Sequence, residues 1–89
     1  MPSHPRNLIG PQLRRIRTER GLSQAALAAD CQRAGWDISR DIVKHIEDGK
    51  RWVSDMELLL LTEVLGLPVD GLFPARKQAL KLALARLAE

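Results

Sequence analysis

At 89 residues the chain is large enough for one domain with a single core, which excludes a deep catalytic pocket beside a separate regulatory domain. It is 45% hydrophobic but only 3% aromatic, and its β-branched residues do not alternate with polar ones over any useful length, which favours an all-α domain. The net charge of +3 leans mildly towards anionic partners and identifies none.

Residues 1–8 contain Pro2, His4, Pro5 and Arg6, a composition that neither starts a helix nor buries much surface, and predict a flexible N-terminal arm. MPSHPRN lacks the apolar core of a signal peptide, and no apolar run approaches the roughly 18 to 20 residues of a membrane span. The lone Cys31 precludes an intrachain disulfide, as suits a reducing compartment. No membrane association and a cytoplasmic location are therefore expected.

From Ile9 the pattern turns helical. Pro11 suits a first turn, Leu13 and Ile16 recur at helical spacing, and Gly21 stops helix 1 near Arg20. Ser23 caps helix 2, which starts at Gln24, presents Ala25, Leu27, Ala28 and Cys31, and runs to about Ala34 before Gly35. Trp36 follows in a connection that should cover the edge of the core.

The stretch Ile38 to Lys50 is the one around which the rest is arranged. On a helical wheel Ile38, Ile42, Val43 and Ile46 fall on one side and Arg40, Asp41, Lys44 and Asp48 on the other, with His45 and Glu47 on the flanks. Ser39 or Asp37 can cap its start, and Gly49 can end it. So short a helix is unstable alone, so it must be mounted on a scaffold that presents its polar front.

Beyond it, KRWVS is basic around Trp52, which should lie over the core, and Ser54 followed by Glu57 has capping-box spacing. Helix 4 therefore starts near Asp55. With Met56, Leu58 to Leu61, Val64 and Leu65 it is apolar around much of its circumference, which predicts the most buried helix, ending at Gly66. LPVDGLF reads as a tight turn or a one-turn helix. ARKQALKLALARLAE, residues 75–89, then forms a sixth element whose stripe of Leu80, Leu84 and Leu87 packs on its own domain or on a second copy.

The order IGPQLRRIRTERGLSQAALA, IVKHIEDGK, MELLLLTEVLGLPVDGLF resembles the phage repressor and Cro type of helix-turn-helix DNA-binding domain, from about Ile9 to Phe73. The resemblance implies a compact five-helix bundle over residues 9–73, with an extra C-terminal amphipathic helix over 74–89. It also implies sequence-specific binding of double-stranded DNA by a small transcriptional regulator, a repressor, with residues 39–48 as the recognition helix in the major groove and two copies on a palindrome. Gln24 matches a glutamine that binds a DNA phosphate and can brace the recognition helix. Arg17 and Glu47 match an ion pair joining helices 1 and 3. The DCQRAGWDI stretch exceeds the family's turn of about four residues, which points to a helix 2 longer by about a turn and a chain re-anchored by Trp36 and Ile38.

In that position Arg40 and Lys44 are candidates for base or phosphate contact, Ser39 and Asp41 for phosphate or cytosine, and His45 for a flanking, DNA-facing role. Lys50 and Arg51 have the placement of phosphate clamps. His4, Cys31 and His45 have no zinc-like spacing, and neither a catalytic set nor a phosphate-cradling glycine loop can be assembled, so no metal, no cofactor and no enzyme activity are expected. The rival reading is a protein-interaction module, antitoxin-like or an accessory subunit, that uses the same fold or its last helix to bind a protein partner.

Overall fold

The computed structural model describes residues 4–89, which contain α-helices and no strands. The helices are α1 (Gly10–Glu19), α2 (Gln24–Arg33), α3 (Arg40–Glu47), α4 (Asp55–Leu65) and α5 (Arg76–Leu87). Each of the middle three begins at a serine whose hydroxyl accepts a backbone N–H: Ser23 from Ala26, Ser39 from Ile42, and Ser54 from Glu57, whose carboxylate completes a capping box by accepting from the Ser54 N–H. Such a cap contributes about 1 kcal/mol, and it fixes where each helix starts. Of the two candidates at the start of α3, Ser39 is the cap.

α3 lies across α1 and α2, and α4 closes the other side of α2. The core they share comprises Leu13 and Ile16 from α1, Leu27, Ala28 and Cys31 from α2, Val43 and Ile46 from α3, Leu61 and Leu65 from α4, with Ile9, Ile38 and Leu72 from the connections. Every polar side-chain atom buried among the described residues has a hydrogen-bond partner. Burial pushes the Cys31 thiol up to about 11, with nearby Asp30 adding to the shift.

The connection between α2 and α3 is anchored at both ends. Gly35, at φ 103°, turns the chain, the Trp36 N–H donates to the Cys31 carbonyl (3.0 Å), and Gln32 Nε2 donates to the Ile38 carbonyl (2.7 Å). Ile38 is buried and Trp36 packs half-buried on the core. α2 itself ends at Arg33, so the extra residues are divided between its last turn and this loop.

Several expectations need correction. Of the two alternatives for LPVDGLF the tight turn is the one observed: Gly71 donates to Pro68 (2.8 Å) and Phe73 to Asp70 (3.1 Å) in successive turns, so this segment is not a helix of its own and the described residues hold five helices, α5 included. α4 is not the most buried helix, because Met56 (73%) and Leu59 (55%) face outward while Leu61, Thr62 and Leu65 face in. Ala25 is exposed, leaving Leu27, Ala28 and Cys31 as the buried face of α2. Trp52 is 59% exposed rather than a lid on the core, and the Arg86 guanidinium of α5 stands 4.8 Å from its ring centroid. α5 buries no residue completely, and Leu80, Leu84 and Leu87 point away from the domain. Of the stretch expected to be an arm, residues 1–3 lie outside the described residues. Arg6 and Asn7 are hydrogen-bonded to the α3–α4 connection.

Candidate nucleic-acid interface

The geometry of α3 is set from its C-terminal end, where Glu47 is buried among three donors. Arg17 of α1 approaches it side-on, Nε to Oε2 at 2.6 Å and Nη2 to Oε1 at 3.0 Å, while Gln24 Nε2 donates to Oε1 at 3.0 Å. The remaining Arg17 nitrogen, Nη1, donates to the Leu22 carbonyl in the α1–α2 turn (2.7 Å). One carboxylate thus ties α3 to α1, to the first residue of α2 and, through Arg17, to the turn between them. Both charged groups are almost fully enclosed, and the hydrogen bonds that Arg17 donates to Glu47 raise the Arg17 pKa above its already high value. Enclosed pairs of this kind gain little net stability over apolar packing, because desolvation offsets the attraction, but the bidentate geometry admits only one orientation of the helix.

With Ile46 and Val43 facing the core, the outward row of α3 is Arg40, Asp41, Lys44 and His45, all exposed, with exposed Ser39 at the cap. Arg40 Nη2 lies 3.2 Å from Asp41 Oδ1, with both side chains mostly in solvent, a contact weak enough to be exchanged for another. Gln24 uses one amide hydrogen on Glu47 and keeps a second, together with its oxygen, for an external group. Lys50 is exposed just past Gly49. Arg51, by contrast, is half-buried and pairs with Glu57 at 3.2 Å, so it is joined to the α4 capping box and reaches an outside anion only by sharing or leaving that carboxylate.

Two residues that complete this arrangement carry no local pattern that singles them out. The Asn7 side chain makes four hydrogen bonds. Oδ1 accepts from the N–H groups of Ile9 (3.1 Å) and Gly10 (2.8 Å), which cover the free start of α1, and Nδ2 donates to the carbonyls of Ile46 (3.0 Å) and Arg51 (2.9 Å). The N-terminus of α1 and the C-terminus of α3 are thereby held together by one amide. Gly10 permits their approach, since a Cβ there would sit 2.5 Å from the Ile46 carbonyl oxygen and 2.8 Å from that of Glu47.

The described residues contain no group of His, Cys, Asp and Glu able to hold a metal ion, and no helix is long and apolar enough to cross a membrane.

The chain is similar to known proteins in sequence and in fold. A helix-turn-helix domain model matches residues 8–72. The HTH-type transcriptional regulator PrpR of Mycobacterium tuberculosis is 41% identical over 61 residues, a match that covers 68% of this chain and 12% of that protein. Among solved structures, the DNA-binding domain of BldD is similar with a TM-score of 0.66 at 32% identity, over 83% of this chain and all of that one. The restriction-modification controller protein C.AhdI from Aeromonas hydrophila has a TM-score of 0.64 at 35% identity, over 73% of this chain and 91% of that one. A hypothetical transcription factor, NHTF from Neisseria, shares the fold with a TM-score of 0.68 at 23% identity, covering 92% of this chain and 91% of that one.

Proposed function

The chain belongs to the helix-turn-helix domain family, and from that premise we propose that it is a small transcriptional regulator, a repressor, that binds double-stranded DNA sequence-specifically in the cytoplasm. The observation that carries the reading is the mounting of α3. Its C-terminal end is locked by Glu47, Arg17, Gln24 and Asn7, and its exposed row of Arg40, Asp41, Lys44 and His45 is free to enter a major groove. A row held this rigidly meets base edges at low cost in conformational entropy.

Within that reading the roles divide by reach. Arg40 and Lys44 read base edges or nearby phosphates, with an arginine suited to the two acceptors of guanine. Ser39 and Asp41, at the helix start, contact phosphate or accept from cytosine, and His45 lies at the groove wall. Gln24, Lys50 and Arg51 hold phosphates, Lys50 directly and Arg51 in competition with Glu57. No metal or cofactor enters, and the family and fold are those of DNA-binding regulators rather than enzymes.

A single copy covers one half-site, and two copies spaced by about 34 Å can hold successive major grooves on one face of the duplex. The outward stripe of Leu80, Leu84 and Leu87, 50%, 66% and 81% exposed, supports the C-terminal segment 74–89, which contains α5, as the homodimer contact. The same stripe favours the second reading, in which α5 binds a different protein partner. Truncation before Ala75, followed by sedimentation at micromolar concentration, separates them: loss of a dimer supports self-association, and a full-length monomer refutes it.

The DNA-binding reading is tested by selecting sequences from a random duplex library and measuring affinity for the winners against unselected duplex. Arg40→Ala and Lys44→Ala should lose discrimination at particular base pairs, by about 1 to 3 kcal/mol each. Lys50→Ala should weaken all duplexes equally. Selection that yields no preferred sequence refutes sequence-specific recognition.

A further inference from the structure

Beside the end of α3 lies an open cleft of about 440 Å³ lined by His4, Arg6, Gly49, Lys50 and Arg86. Its side chains come from three distant parts of the chain, and three of them carry a permanent positive charge. Arg6 is placed by its backbone, whose N–H donates to the Gly49 carbonyl (2.9 Å), and its guanidinium reaches the Lys50 carbonyl (3.5 Å). Arg86 is placed by stacking on Trp52. A carboxylate, that of Glu89, already meets this cluster. It pairs with His4 Nδ1 at 3.0 Å and accepts from Arg86 Nη1 with both oxygens at 2.9 Å. The side chains of His4 and Glu89 are both nearly half exposed, so this carboxylate can be displaced.

We propose that this cleft is an oxyanion site that takes a backbone phosphate of bound duplex DNA, and that Glu89 occupies its cations as an internal competitor when DNA is absent. The inference rests on the DNA-binding reading above and extends it to residues that no recognition-helix argument reaches. Three observations support it. The cations converge where the chain leaves α3, next to the exposed Lys50, which the DNA-binding reading already assigns to a phosphate. Arg6 and Arg86 are already oriented by the protein, which reduces the ordering required on binding. A carboxylate oxygen already takes up donors from this cluster, which shows that its geometry suits an oxyanion. DNA replaces Glu89 at Arg86 and His4, with no covalent step.

The test is anisotropy of a short fluorescent random-sequence duplex with the full chain, across about 50 to 200 mM salt. Arg6→Ala should flatten the slope of log affinity against log salt by about one unit and weaken binding by about eightfold at 0.1 M salt. Glu89→Gln, which keeps the shape and removes the charge, should tighten binding by about two- to fivefold, the equivalent of releasing one exposed ion pair. Glu63→Gln removes the same charge from an exposed position on α4 that does not line the cleft, and should change affinity by less than Glu89→Gln does. Equal effects from the two glutamine variants, or no effect from Arg6→Ala in a protein that still binds the duplex, overturn the proposal and leave the DNA-binding reading intact. A wild-type chain with no salt-dependent duplex binding overturns both. Titration with inorganic phosphate, followed by amide shifts at Arg6, Lys50 and Arg86, separates the sources: saturation by phosphate with duplex affinity indifferent to Arg6→Ala and Glu89→Gln assigns the cleft to a free anion and refutes the DNA role.

Discussion

Replacing Gly10 by alanine adds one methyl group where α1 begins, at a position whose φ is ordinary for a helix, so intrinsic preference alone favours the change by about 0.5 to 1 kcal/mol. The surroundings oppose it. The new Cβ would lie 2.5 Å from the Ile46 carbonyl oxygen and 2.8 Å from that of Glu47, well inside the 3.4 Å at which ordinary contact begins. Both obstacles are main-chain atoms of the last turn of α3, which cannot rotate away, and Asn7 binds that same Ile46 carbonyl from α1's leading edge. Relief requires α1 and α3 to separate, which strains the Asn7 bridge and the Arg17–Glu47 pair. Overpacking of this kind costs roughly 1 to 3 kcal/mol, enough to exceed the propensity gain. The net expectation is a loss of about 1 to 2 kcal/mol, which for a domain of this size lowers the melting temperature by roughly 5 to 15 °C. Thermal unfolding followed by circular dichroism measures it, and a variant as stable as wild type or more so would refute the close approach of α1 to α3.

The remaining predictions concern the same joint and the core behind it. Glu47→Ala leaves the Arg17 guanidinium enclosed without its partner and should cost about 3 to 5 kcal/mol in urea unfolding. The double change Arg17→Met with Glu47→Leu should recover most of that loss while degrading duplex discrimination, and a double variant as unstable as the single one contradicts the account of the pair as an orienting device. Asn7→Ala removes four hydrogen bonds and should cost about 2 to 3 kcal/mol. Asn7→Asp, which keeps the cap but turns a carboxylate oxygen towards two carbonyls, should be no better, and its full stability would dismiss the bridging role. Cys31, with its pKa raised to about 11, resists deprotonation well above neutral pH, so about one thiol in a thousand is ionised at pH 8. It should be alkylated slowly in the native state and quickly in denaturant, and fast native labelling would contradict its burial.

What could be read in advance from the chain, and what could not, divides by range of interaction. The starts of α2, α3 and α4 were legible because Ser23, Ser39 and Ser54 act on N–H groups three residues away, and the stops were legible because Gly21, Gly35, Gly49 and Gly66 turn the chain with positive φ wherever they are placed. The same local logic misled at α4. A helix apolar all round does not say which side faces in, and only the position of α2 decides that Leu61 is enclosed while Met56 and Leu59 are not. Trp52 is comparable, since its ring is met by Arg86, which only the path of α5 brings there. Asn7 is the extreme case. Its Nδ2 acceptors lie 39 and 44 residues further along the chain, so no pattern around residue 7 could distinguish a clamp from the arm that the prolines suggest. The candidate site combines both kinds of information. Its outward row follows from periodicity within α3, but its orientation depends on a carboxylate, a guanidinium and two amides drawn from α1, α2, α3 and the segment before α1. A substitution at Asn7 or Gly10 should therefore alter recognition without touching DNA, because the last turn of α3 takes its position from contacts with α1, α2 and the segment before α1.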